Sequence, residues 1–285
     1  MKTVIKNTLV GTVRFFINLF GEAWRKKVGL VLREAMSSNG FDEIIKTIET
    51  KRGDIRFYCL DYLPLWRAET LLTKEPETIE WIDTMKAGDV LFDIGANVGV
   101  YTMYAAIKKD VKVFAFEPLA ANYFLINRNI EENNLSDHVR AFCLALNDQD
   151  MMGSFHVKNT GFGSALSSFN EPVDHNGNTY EAKFEQGMIG MTLDNFIENF
   201  RPEFPTHIKI DVDGIEDKIV KGALKTFADK RVRTISIELD ENRPDYTNDI
   251  IKDIEDSGFK LNSKRHSDMF DGTAFENIYN YQFIR

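Results

Sequence analysis

The sequence predicts a doubly wound, mostly parallel α/β sheet, with an N-terminal helical and hairpin extension and an antiparallel insertion. Three observations carry this reading. From Asp89 onward, short apolar runs alternate with helical patterns. VLFDI (90–94) reads as a continuous apolar run rather than an alternating one, as in parallel strands covered on both faces. The first of them opens into a glycine-bearing turn, DIGANVG (93–99). The expected boundaries are 1–74 for the extension, 75–285 for the α/β domain and 147–190 for the insertion.

The elements follow in order. In MKTVIKNTLVGTVRFFINLF (1–20), Ile5, Leu9, Val13, Phe16 or Ile17, and Phe20 keep helical spacing, so an amphipathic helix is expected. Lys6 and Arg14 interrupt its apolar run, which excludes a membrane span and a cleaved leader. IRFYCL (55–60) reads as a strand. EPETIEWIDTMKAGD (75–89) reads as a helix, with Pro76 early, acids in the first turn and Gly88 after the end. VLFDI (90–94), VKVFAFE (111–117) and VRAFCLAL (139–146) are the first three strands, separated by helices over 98–109 and 120–134. The Gly-, Asn- and Ser-rich stretch 147–190 carries strand-like pieces at 154–158 and 180–189 around a loop. TLDNFIENF (192–200) is a helix capped by Thr192. HIKIDV (207–212) and VRTISIEL (232–239) are the fourth and fifth strands, joined by a helix over 215–230. A helix near 246–257 and strands near 259–262 and 276–284 close the chain.

Composition narrows the function. With 35 basic and 44 acidic residues the net charge is −9, a poor match to a phosphate backbone, so nucleic acid is excluded as the main partner. The basic excess lies in residues 1–60, with 11 Lys/Arg against 6 Asp/Glu. Arg25, Lys26 and Lys27 follow the amphipathic helix. Peripheral membrane contact through residues 1–27 is therefore the alternative to packing on the protein body. The expected location is the cytoplasm, with or without that membrane association. Cys59 and Cys143 are expected as reduced core thiols, and no Cys/His cluster points to zinc.

In doubly wound sheets ligands bind at the carboxyl ends of the strands, where the strand order reverses. After the first strand, Gly95 permits a sharp turn and Gly99 lets the next helix pack close. The turn also offers backbone N–H groups to a carboxylate or phosphate, and Asp93 can accept from an ammonium. Glu117, before Pro118, lies 22 residues past Gly95, the place of an acid that binds ribose hydroxyls. After the third strand, Ala145 offers a small apolar surface to a purine. After the fourth come Asp211 and Asp213, and at the end of the fifth comes Glu238, followed by Asp240 and Glu241. Paired carboxylates there suit a base, a metal site or a helix cap. His207, at the opposite end of its strand, reads as structural.

VLFDIGANVGVYTMYAA, VFAFEPLAANYFLINRNIEEN, VRAFCLALND, GMTLDNFI and IKIDVDGIEDKIVKGA stand in this order over residues 75–240. Together they resemble FkbM-type methyltransferases, a branch of the class I S-adenosylmethionine-dependent enzymes. That family commonly has Glu where this chain has Asp213. The resemblance implies a class I methyltransferase fold, S-adenosylmethionine as cofactor, and O-methylation of a sugar, glycan or natural product. It also implies cofactor contacts from Asp93, Gly95, Ala96, Asn97, Gly99, Glu117, Pro118 and Ala145. Catalysis is expected from Asp211 as first candidate for base, helped by Asp213 and Glu238. A divalent metal is compatible with these acids but is not expected. Two alternatives remain: a catalytically idle adapter on the same scaffold, and a nicotinamide-dependent oxidoreductase. The second would need Gly where Asn97 stands.

Overall fold

The computed structural model describes residues 45–285, His175 apart, together with Lys27. The helix expected over 1–20 and its membrane contact fall outside them, Lys27 excepted. Residues 45–285 form one compact unit. Among the described residues no helix is long and apolar enough to cross a membrane.

The unit opens with an antiparallel hairpin, β1 (Ile45–Ile48) and β2 (Ile55–Tyr58). Helix α1 (Tyr62–Glu69) follows, its first N–H held by the Asp61 carboxylate at 2.7 Å. Helix α2 (Pro76–Asp83) has Pro in its first turn. Then come β3 (Val90–Ile94), α3 (Val100–Ala106), β4 (Lys112–Phe116), α4 (Ala120–Glu132) and β5 (Val139–Phe142). The excursion holds β6 (Ala145–Leu146), β7 (Met151–Val157), β8 (Ser168–Phe169) and β9 (Phe184–Met191). The main sheet resumes after α5 (Leu193–Phe200) with β10 (His207–Ile210), α6 (Glu216–Lys221), α7 (Leu224–Ala228) and β11 (Thr234–Asp240). Helix α8 (Pro244–Asp256), β12 (Lys260–His266) and β13 (Ile278–Ile284) complete it.

Seven strands form the main sheet in the order β12-β13-β11-β10-β3-β4-β5. The run from β11 to β5 is parallel, and β13 lies antiparallel between β11 and β12. The strand order reverses between β3 and β10. Alternation along β3 divides the core. Val90, Phe92 and Ile94 join the cluster on one face, while Leu91 joins the cluster on the other. On the first face the Phe196 ring meets Phe92, Phe116, Phe142 and Phe200 at centroid distances of 5.0–6.4 Å, so helix α5 is held to the sheet mainly by aromatic packing.

Three expectations need correction. The third strand is not continuous to 146: it ends at Phe142, and Ala145 and Leu146 leave the main sheet to pair with Gly190 and Met191. The helix expected over 215–230 is two helices, because at Gly222 the backbone passes the Asn147 carbonyl so closely that a Cβ would lie 2.1 Å from it. The cysteines are free, but Cys143 is exposed and Cys59 only half-buried, since the chain around 143 is leaving the sheet. His207 is structural as expected. It is buried at the amino end of β10, with Nε2 2.9 Å from Asp89 Oδ2 and Nδ1 2.6 Å from Thr234 Oγ1.

Candidate active site

A cavity of about 560 Å³ opens at the carboxyl ends of β3, β4 and β10, where the strand order reverses. That volume suits a small-molecule site. Gly95 and Asn97 form one wall, Glu117 and Pro118 a second, Leu144 to Leu146 a third, and Asp211 to Ile215 a fourth. Residues 163–167 of the excursion cover it, and Leu63, Trp66 and Arg67 of α1 close its side.

The glycine loop is built by its neighbours. Gly95 has φ +82°, and a Cβ there would lie 1.9 Å from the Asp211 carbonyl oxygen. Bulk at 95 is thus excluded by the backbone after β10. Gly99 caps α3 with φ +80°. The loop's N–H groups are largely spent. Those of Gly95 and Ala96 donate to the Phe116 carbonyl at 2.9 and 3.1 Å, and that of Gly99 donates to Ala96 at 2.8 Å. The Asn97 N–H donates to Glu117 Oε2 at 2.8 Å.

Glu117 is buried and lines the cavity. Its Oε1 accepts from the Leu119 N–H at 2.8 Å. Burial pushes its carboxyl up to about 8, against the Leu119 and Asn97 donors that pull it down. The side-chain amide of Asn97 donates to Ser164 O at 2.9 Å, while its buried Oδ1 has no partner. Asn122 donates to the same Ser164 oxygen at 3.0 Å and accepts from Gly163 N at 2.8 Å. Asp213 Oδ2 accepts from Leu166 N at 2.5 Å, and Arg67 Nε donates to Gly163 O at 2.9 Å. Four side chains therefore pin one short segment over the cavity.

Beyond the loop lies a cluster of charge. One oxygen from each of Glu75, Asp211 and Glu238 lies within 4.8 Å of the others. Lys209 Nζ donates to Asp211 Oδ2 at 2.5 Å, and Lys74 Nζ donates to Glu75 Oε1. Lys209 also sits over the Tyr101 ring, 5.0 Å from its centroid. Burial works to raise all three acids. For Asp211 and Glu75 the lysines win: Lys209 holds Asp211 below the carboxylate range, and Lys74 does so for Glu75. The Glu238 carboxylate makes no hydrogen bond among the described residues. Burial, then the Asp211 charge, push it well above that range. Asp93 is buried against α3, where Thr102 Oγ1 donates to it at 2.5 Å, and burial raises its carboxyl.

The profile of the methyltransferase FkbM domain matches residues 93–261. The chain belongs to the FkbM methyltransferase family. A hexuronic acid methyltransferase, AglP of Haloferax volcanii, is 24% identical over 189 residues, covering 65% of this chain and 70% of that one. Among solved structures, the precorrin-6y C5,15-methyltransferase of Geobacter metallireducens has a TM-score of 0.43 and 12% identity. It covers 74% of this chain and 86% of its own. Trm5b of Pyrococcus abyssi has a TM-score of 0.47 and 13% identity, over 85% and 56%.

In this FkbM methyltransferase the site residues expected from sequence fall into two groups. Gly95, Asn97, Glu117, Pro118, Ala145, Asp211, Asp213 and Glu238 all line the main cavity. Asp93 and Ala96 line a small side cavity of about 30 Å³ behind the loop. Gly99 lines neither and packs toward Ile126. The sequence reading missed Arg67, Lys74, Glu75, Tyr101 and Lys209. One signal was available: a lysine inside an otherwise apolar strand covered on both faces must find a carboxylate. The FkbM methyltransferase match begins after Glu75, so Lys74 and Glu75 of the charge cluster lie outside it.

Proposed function

We propose that the chain is an S-adenosylmethionine-dependent O-methyltransferase acting on a hydroxyl of a sugar, glycan or natural product. One observation carries the reading: the 560 Å³ cavity runs from a wall of Glu117, Pro118, Ala145 and Leu146 to a cluster of carboxylates and lysines. The donor set fits the cofactor. Glu117 offers acceptor capacity to ribose hydroxyls, Ala145 and Leu146 offer an apolar face to adenine, and the orphaned Asn97 Oδ1 awaits a donor. The FkbM family and the relative that methylates a hexuronic acid support a sugar-like acceptor.

S-adenosylmethionine, when bound, supplies an electrophilic methyl group. The chain's own task is to align a hydroxyl and take its proton. Asp211 was the first candidate as base, but it is committed to Lys209, which holds its proton affinity down. Glu238 faces the cavity without a hydrogen bond and has the highest proton affinity of the three acids. In this reading Glu238 receives the hydroxyl proton, and the lysine-paired Asp211 and Glu75 fix the field around it. Asp213 holds the covering segment rather than the proton. Trp66, Phe270 and Phe275, which also line the cavity, give a sugar ring apolar faces to lie on.

The test is transfer of labelled methyl from S-adenosylmethionine to a panel of sugars and uronic acids, with mass analysis of the product. Label appearing on a hydroxyl oxygen is expected. Tight binding of S-adenosylhomocysteine without transfer to any glycan or metabolite extract would favour the idle adapter. No binding at all would end the cofactor assignment.

A further inference from the structure

We infer that Arg67 of helix α1 is the carboxylate grip for the amino-acid end of the cofactor, a role supplied from outside the residues that match the family. The inference rests on the reading of this site as one for S-adenosylmethionine.

A cofactor with an amino-acid end brings a carboxylate and an ammonium together, and each needs a partner. The expected partner of the carboxylate was the row of N–H groups in the glycine loop. Those of Gly95, Ala96, Asn97 and Gly99 are already engaged within the chain. These four donors are closed to a carboxylate, and a side-chain cation is the stronger partner for it. The candidates are the cations that border both the main cavity and the small cavity behind the loop. Lys74 and Arg67 are the two such residues. Lys74 is already ion-paired with Glu75. Lys209 borders only the small cavity and is ion-paired with Asp211. Arg67 uses Nε alone, donating to Gly163 O at 2.9 Å. Its two terminal nitrogens make no hydrogen bond or ion pair among the described residues, although its charge acts on Asp211. A guanidinium held by one edge presents its other edge as a fork, the geometry that takes a carboxylate with two parallel bonds.

The surroundings complete a match to a zwitterion. The small cavity that Arg67 borders is also lined by Asp93, Gly95, Asn97 and Asp211. An ammonium beside these carboxylates and a carboxylate against Arg67 leave neither charge unpaired. Arg67 is also one of the side chains that pin the covering segment, so the same residue would join the cofactor to the segment over it.

The experiment compares two ligands that differ only at the amino-acid end. S-adenosylhomocysteine carries it, and 5′-methylthioadenosine lacks it. Both are titrated calorimetrically into the full chain, into Arg67→Gln and into Arg67→Lys, after thermal melts establish that each variant is folded. Glutamine keeps a donor for the Gly163 carbonyl but loses the charge, and lysine keeps the charge but loses the fork. The expected result for Arg67→Gln is a 10- to 100-fold loss of affinity for S-adenosylhomocysteine and less than a threefold change for 5′-methylthioadenosine, with Arg67→Lys between. Equal weakening of both ligands would reduce Arg67 to a pin for the segment and overturn the inference. Unchanged affinity for S-adenosylhomocysteine would overturn it as well. A wild-type chain that binds neither ligand would instead overturn the cofactor reading itself, and the inference with it.

Discussion

The two ends of strands β3, β10 and β11 carry similar residues put to different ends. At the amino edge, Asp89, His207, Arg233 and Thr234 form a closed group. His207 is held on both ring nitrogens, and Arg233 donates to Asp89. At the carboxyl edge, Glu75, Asp211, Glu238, Lys74 and Lys209 form an open one. There the Glu238 carboxylate, the terminal nitrogens of Arg67 and the Asn97 Oδ1 atom have no hydrogen-bond partner among the described residues and lie beside a cavity. Charge density and burial alone do not separate the two edges. The unfinished bonding does, because a buried polar group left unmatched costs free energy that a ligand can recover.

The largest expected effect tests that contrast directly. Glu238→Gln removes the proton acceptor with little change of size, and methyl transfer should fall by ~10²–10⁴-fold while S-adenosylhomocysteine still binds. Asp89→Asn, at the other edge, should leave turnover within a factor of two and lower only the melting temperature. Because a base must be ionised to act, and the Glu238 carboxyl lies above its usual range, the rate of the wild type should rise with pH along a limb above 4.5. A profile flat through that region, or a fully active Glu238→Gln, would close the comparison in favour of two structural clusters.

Glu117→Ala comes next. On the proposed reading, in which Glu117 holds the ribose, its loss should weaken S-adenosylhomocysteine by ~100-fold, about 2.7 kcal/mol. Its carboxyl lies at about 8 in the folded chain, above the ordinary 4.5. A raised acid lends stability that is complete below the unfolded value and is lost as pH rises through the folded one. The melting temperature of the ligand-free chain should therefore carry a decline between pH 4.5 and about 8 that Glu117→Gln removes. Identical pH curves for the two proteins would place the proton elsewhere.

Asp211→Asn should act on stability before chemistry. Lys209 is buried, with a side chain only 2% exposed, and removing its partner should cost about 3 kcal/mol. A denaturant titration reads this as a lower midpoint with an unchanged slope. Normal stability combined with lost turnover would return Asp211 to the role of base.

The smallest expected effect is that of a chelator. Lys74 and Lys209 already supply positive charge among the three acids, where a divalent ion would otherwise sit. EDTA should change turnover by less than a factor of two. Activity that disappears with EDTA and returns with Mg²⁺ would turn the same acids into ligands.

Much of this was readable from residue order. The short, mainly apolar runs at 90–94 and 207–210 placed the central strands, because strands covered on both faces keep few polar positions, here Asp93, His207 and Lys209. The turn 93–99 and Glu117 were readable because their spacing along the chain is itself the geometry. The strand break at Cys143 was hidden, since VRAFCLAL is apolar at every position but Arg140 and only the competing partner β9 decides where it divides. Lys74, Glu75 and Arg67 were hidden for a related reason. They lie in the stretch before the first parallel strand, and nothing local marks a lysine and a glutamate ahead of Pro76 as anything but a helix start. Their meaning arises only when α1 and α2 fold against the ends of β3 and β10.

The seam between these segments bears on how the enzyme can be divided. A fragment cut at the family's borders, 93–261, would retain the glycine loop, Glu117, Asp211, Asp213 and Glu238. It would discard Lys74 and Glu75, and with them Ser267 and Asn280, which bond the Lys74 carbonyl and the Glu77 carboxylate from the far end of the chain. Such a core would hold two carboxylates against a single lysine, with α1 no longer walling the cavity. Grafting the core onto another enzyme's flanks would therefore carry over the wall from Glu117 to Ala145 but not the whole charge cluster, and the borders useful for recognising the family are the wrong places to cut it.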